Sequence, residues 1–286
     1  MTLLVRHLDT HPSEPVMVVA LDGWIDAGLG AKAAVANVLE QISTELMATF
    51  DPDELIDHRA RRPTLRLIDG VIDRVTWPEI ELRVGEDANS KAALILVGPE
   101  PDMRWHAFTD AVVDLARSLD VRLVVGLGAF PAPVPHTRPT RVAATATSPE
   151  LAGTVGYVSG TIEVPAGVHA PIEAALGQAG IPAVGIWARV PHYLSGMPYP
   201  AAAAALLESL AAVSGLALDS SSLQAAATST RTRVDALIAQ SEEHTAMVRQ
   251  LEEHVDAAES AAFGGGDIPS GDELAAELER FLRGEL

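Results

Sequence analysis

Four short stretches hold most of the side chains that could do chemistry: LDGWIDAGLG (residues 21–30), GPEPDMRW (98–105), GLGAFPAPVPHTRP (126–139) and RVPHYLSGMPYP (189–200). In the first, Asp22 and Asp26 could bring two carboxylates and a helix N-terminus to a ligand, with Trp24 and Gly28 beside them. A turn and a capping aspartate explain the same letters. In the second, Glu100 and Asp102 set a carboxylate pair beside the Arg104 guanidinium, suited to acid–base work or to holding an anion. Loop solvation and a Pro-Asp helix entry are the plainer account. The third contains Gly128 and then His136, Thr137 and Arg138 between Pro135 and Pro139. Prolines fix φ on either side, so the triplet is expected on a stiff, extended backbone. Such rigidity serves a catalytic site or a protein interface equally well. The fourth repeats the device with His192 and Tyr193 after Pro191.

Complete catalytic signatures are missing from these stretches. Gly28-x-Gly30 falls inside a helix instead of on a turn, and Pro131 occupies the third-glycine place after Gly126-x-Gly128, so neither is a dinucleotide fingerprint. The Walker pattern is absent. Ser159 and Ser195 lie outside any Gly-x-Ser-x-Gly elbow. No third histidine or carboxylate stands at metal-ligand spacing from His136 and His192, so no metal and no cofactor is expected. Glu242-Glu243-His244 and Glu252-Glu253-His254 are ten residues apart, about 80° around a helix from one another, and read as surface charges.

The elements around these stretches say where they sit. Residues 16–21 (VMVVAL), 92–97 (AALILV), 121–127 and 182–188 are short apolar runs, as strands buried on both faces are. Helical periodicity follows at residues 27–39, 105–119 and 168–179, with Phe108, Val112, Leu115 and Leu119 on one stripe. Strand and helix in alternation predict right-handed crossovers and a mostly parallel sheet flanked by helices, an α/β fold. All four stretches then leave the carboxyl ends of parallel strands, where ligands of open sheets settle. Residues 62–84 alternate apolar and polar around Asp69-Gly70, which predicts an antiparallel hairpin insertion or sheet extension. Residues 140–147 read as a further strand, and the N-terminal residues read as a first strand, not a signal peptide.

Near Asp219 the composition changes: glycine and proline vanish until about residue 260 and acids multiply. Val234, Leu237, Ser241, His244, Val248, Leu251, Val255 and Ala258 advance by threes and fours, the seam of a helical hairpin or coiled coil, imperfect where Ser241 and His244 occupy core-type places. FGGGDIPSGD (263–272) reads as a flexible break and residues 273–282 as a last amphipathic helix. We therefore expect an α/β domain over residues 1–218 and an acidic helical domain over 219–286.

Composition narrows the function classes. A net charge of −19, with two lysines against eighteen arginines, argues against a nucleic-acid partner. Without cysteine, thiol catalysis and disulfides are excluded. No apolar run is long enough for a membrane span, and the cytoplasm is the default location.

Taken together, GWIDAG, GPEPDMRW, PHTRP and VPHY resemble the proteasome-assembly-chaperone family in its actinobacterial branch. The resemblance implies a nucleoside-phosphorylase-like α/β fold, a small helical C-terminal domain, homo-oligomers, and a non-enzymatic role among proteasome subunits. It motivates reading the chain as a self-associating, chaperone-like binding protein. The alternative is a hydrolase or phosphorylase-like enzyme whose site Asp22, Asp26, Glu100, Arg104, His136 and Arg138 would line.

Overall fold

The computed structural model describes residues 3–23 and 25–264. Its centre is four parallel strands, β2 (Val16–Asp22), β7 (Ala92–Pro99), β8 (Leu123–Ala132) and β10 (Ala183–Pro191), in the order β7-β2-β8-β10. Antiparallel strands widen it on both sides. β1 (Leu4–Arg6), β3 (Thr44–Phe50) and β6 (Glu81–Glu86) lie beyond β7, and β9 (Val142–Ala146) lies beyond β10. The mixed eight-stranded sheet thus bears out the α/β reading, parallel in its middle and antiparallel at its flanks.

Burial explains why the central strands read as unbroken apolar runs. Along β2, Val16, Val18 and Ala20 face one helical layer, whereas Met17, Val19 and Leu21 face the other. The first layer comprises α1 (Gly30–Gln41), α6 (Pro200–Ser214) and Val234 of α7 (Ser221–Ile238). The second comprises α3 (Trp105–Ser118) and α5 (His169–Gln178), with Phe108, Val112 and Leu115 buried on the foreseen stripe. Alternate side chains serve alternate layers, so β2 is apolar at every position up to its last residue, Asp22.

The smaller elements include α2 (Pro52–Leu55), α4 (Pro149–Val155) and the hairpin of β4 (Thr64–Ile68) and β5 (Val71–Thr76), which forms a separate two-stranded sheet. The Asp69-Gly70 turn lies between its strands, with both residues at positive φ. Within residues 27–39 a 3-10 turn, Ala27–Leu29, precedes α1. α8 (Glu242–Gly264) follows α7, with Ser241 in the turn between them. The single seam across both helices is therefore not formed: Val234 and Val248 are buried, but Leu237 is exposed and Ser241 lies at the reversal. The foreseen break at 263–272 begins inside α8, and its remainder, with the helix expected at 273–282, lies outside the described residues, as does Trp24.

Candidate functional site

Because β7, β2, β8 and β10 run parallel, their following loops leave the same edge of the sheet, and backbone hydrogen bonds lace them together. Glu100 N–H donates to the Asp22 carbonyl at 2.8 Å, and Asp26 forms a parallel bridge with Ala129. Gly28 N–H donates to the Ser195 carbonyl, and Tyr199 N–H returns a bond to the Gly28 carbonyl, both at 2.8 Å. Gly28 has φ +65°, and a β-carbon there would come within 2.7 Å of Tyr199 Cβ. Positive φ and close approach together make glycine necessary.

The side chains on this rim fall into two groups. Toward β7 and β2, Asp26 accepts from Ala31 N–H (2.7 Å) and Lys32 N–H (3.0 Å), capping α1 across the intervening 3-10 turn. Burial raises its pKa, a trend these two bonds and Lys32 oppose. Asp22 pairs with Lys32 Nζ at 2.6 Å. Glu100 is buried and accepts from Val168 N–H at 2.6 Å. Asp102 does not cap α3. It pairs with Arg61 at 3.1 Å and accepts from Asp57 N–H at 2.9 Å, while Arg104 binds Glu54. The Trp105 indole donates to the Pro101 carbonyl at 2.6 Å.

Toward β8 and β10, the His136 side chain is 2% exposed. Tyr193 Oη accepts from His136 N–H at 2.9 Å and lies 2.6 Å from Nδ1; Nε2 lies 2.9 Å from Asp235 Oδ1 on α7. These contacts are satisfied together when Nε2 donates to Asp235 and Nδ1 accepts the tyrosine hydroxyl. Burial pushes the Tyr193 hydroxyl up to about 12, so it remains a donor. Thr137 donates to Glu252, and Arg138 forks onto Asp256 with Nε at 2.8 Å and Nη2 at 2.7 Å, adding Glu252 at 3.1 Å. The triplet forms a turn, not the expected extended run. Turning lets His136 face inward to α7 while Thr137 and Arg138 reach α8. Glu252, expected to be a surface charge, is one end of this clasp.

Gly128 and His192 stand apart from both groups. The Trp187 ring of the adjacent strand covers Gly128, leaving no room for a β-carbon. His192 opens the 3-10 turn His192–Leu194, with its ring edge-on to Tyr193, and burial lowers its pKa although the Ala132 backbone opposes this.

Reading the sequence missed three sets of groups. Asp235, Glu252 and Asp256 carry no local mark, although Glu252 and Asp256 stand four apart on one helix face. On α5, His169 and Glu173 lie over Gly126 and Gly185 of the sheet. Glu173 accepts from Thr145 Oγ1 at 2.8 Å, and burial raises its pKa; burial lowers that of His169 despite nearby Glu100. Finally, a narrow cleft opens between the PHTRP loop and the end of β10, bordered by Arg138, Arg141, Arg189, Tyr199 and Val255 of α8. Among the described residues, no three His, Asp or Glu side chains are grouped to hold a metal ion, and no helix is long and apolar enough to cross a membrane.

An α/β sheet of this topology with a laced carboxyl rim defines the fold class. The chain belongs to the PAC2 family, whose model matches residues 20–238. A Mycobacterium tuberculosis protein of unknown function is similar at 35% identity, over 92% of this chain and 91% of that one, with a TM-score of 0.84. A proteasome-assembly chaperone homologue from the same organism shares 34% identity over 82% of this chain and 99% of its own, with a TM-score of 0.76. Pyrococcus furiosus PbaB, an archaeal proteasome activator, is 15% identical over 82% and 97% with a TM-score of 0.63, a likeness of fold alone. No curated protein matches.

Proposed function

We propose that this chain is a non-enzymatic, chaperone-like binding protein that associates with itself and with proteasome subunits. One observation carries the reading: the polar side chains that could have done chemistry on the rim are engaged in holding the fold. Asp26 caps α1, Asp102 and Arg104 hold Arg61 and Glu54, and His136, Thr137 and Arg138 hold the α7–α8 hairpin. A general base or nucleophile must be able to reach a substrate proton or carbon, and these groups are turned to the protein's own backbone and helices. The similarity to a proteasome-assembly chaperone homologue supplies the direction in which to look for partners.

In this reading the sheet and its covering helices form the binding body, and the acidic helices α7 and α8 an appendage clasped to it. The partner surface would then be the outer faces of the rim loops and the clasped helices. The test is a pull-down of purified proteasome α and β subunits on the full chain, with oligomer mass read by light scattering. Retention of a subunit and a mass above one chain are expected. A monomer that retains no subunit overturns the reading.

A further inference from the structure

The β4–β5 hairpin carries an apolar face that nothing else among the described residues covers. Its two strands form a sheet of their own, and every residue in both is exposed. The register sets Leu65 opposite Val75 and Leu67 opposite Ile72. Directly opposed residues share a face, and Leu65 and Leu67 stand two apart on one strand, so all four point the same way. Their exposure runs from 41% to 64%. Arg66 and Arg74 oppose one another on the other face, and Asp73, which the register skips, pairs with Arg66 at 3.3 Å.

Two strands with both faces in water are marginally stable by themselves. An aliphatic face beside two open strand edges is also a template for another chain. The base of this arm is nevertheless held firmly. Arg61 pairs with Asp102 on the rim, and the His58 ring lies edge-on to Trp77 with centroids 4.8 Å apart. The arm is thus presented from the rim with its apolar side uncovered.

Charge selects what covers it. A net charge of −19 makes most of the surface repel a second copy of the chain. Residues 58–76 do the reverse, since they hold five arginines and two aspartates, a local net charge of +3. Arg61 and Arg66 have acids of their own, whereas Arg59, Arg62 and Arg74 are exposed and meet no acid among the described residues. An acidic chain can therefore approach this arm with attraction where it would be repelled elsewhere.

We infer that the β4–β5 hairpin is the surface through which this chain self-associates. The face of Leu65, Leu67, Ile72 and Val75 lies against a second copy, and Arg59, Arg62 and Arg74 meet that copy's acidic surface. The inference rests on the self-association proposed above and gives it a location.

The mass of the full chain is read by light scattering across a dilution series. A mass above one chain is expected, and Leu67→Asp combined with Ile72→Asp should raise the dissociation constant on the order of a hundredfold. Val164→Asp, at an exposed apolar residue in the loop before α5, should leave that constant unaltered. An unaltered constant in the double variant, or equal weakening by Val164→Asp, overturns the hairpin as the surface while self-association stands. A single-chain mass for the unaltered protein at every concentration removes self-association and this surface with it. If the double variant does not fold, hydrogen exchange in the assembled, unaltered protein decides. The β4 and β5 amides must then be protected, and exchange as fast as that of an unstructured chain overturns the inference.

Discussion

Arg138 holds Asp256 with two parallel bonds of 2.8 and 2.7 Å, joining a loop at the sheet's edge to a helix 118 positions further along the chain. Both partners are open to solvent, so the fork orients α8 more than it stabilises the whole fold. Arg138→Lys keeps the charge but loses the planar fork. Hydrogen exchange in α8 should accelerate by about two- to fivefold, with α3 unchanged. Unaltered exchange in α8 would show that apolar contacts around Val248 and Val255 hold it unaided.

His136 should matter more because its side chain is buried. His136→Ala leaves the Tyr193 hydroxyl without its ring partner and opens a hole, and we expect a loss of about 2–4 kcal/mol in denaturant unfolding. Tyr193→Phe removes one hydroxyl and should cost about 1–2 kcal/mol. If the three groups act as one network, the double variant falls short of the sum.

Asp87 tests the tie between the β6–β7 loop and the segment after α6. Its carboxylate accepts from Asn89 and Lys91 N–H at 2.8 and 2.9 Å and from Ala217 N–H at 2.6 Å. Burial opposes ionisation, yet the three donors prevail and the pKa is lowered. Its stabilising contribution is therefore full above the unfolded carboxylate value, about 3.9, and disappears as pH falls through the lower folded value. Asp87→Ala should cost about 2–4 kcal/mol at pH 7, and the gap to the unaltered protein should narrow below about pH 4.

Asp26 has the opposite sign. Its folded pKa is raised by burial, so ionisation weakens the fold slightly at neutral pH. Asp26→Ala loses both capping bonds and should cost about 1–2 kcal/mol. Measured against Asp26→Asn, which does not titrate, the unaltered protein should gain stability as pH falls from 7 toward 4.

Gly128→Ala places a methyl group into the Trp187 ring. A rigid ring packed on the sheet cannot yield cheaply, so a loss of about 1–3 kcal/mol and a change in tryptophan emission are expected. Gly153→Ala, where a β-carbon meets nothing within 4 Å, should leave both measurements unaltered.

The elements were legible where one physical pattern dominated. VMVVAL reads as a strand because both of its faces are buried, and Phe108, Val112 and Leu115 mark α3 because only one side of that helix meets the sheet. The Asp69-Gly70 turn announced its hairpin. The helical hairpin was legible, but its seam was counted straight through Ser241, because periodicity records spacing and not the place of the reversal. Ser241 fits the count and is nevertheless where the chain turns back. His136 to Arg138 looked extended between two prolines, but the bonds to Tyr193, Asp235, Glu252 and Asp256 select a turn.

Sequence alone therefore determined the central strands, their carboxyl-end loops and the family likeness, since apolar periodicity and turn residues act over a few neighbouring positions. Tertiary structure decided what the loop side chains hold. The pairing of Arg138 with Asp256 and the burial of His136 under α7 depend on how distant elements meet, and charge complementarity at that range leaves no local mark in the chain.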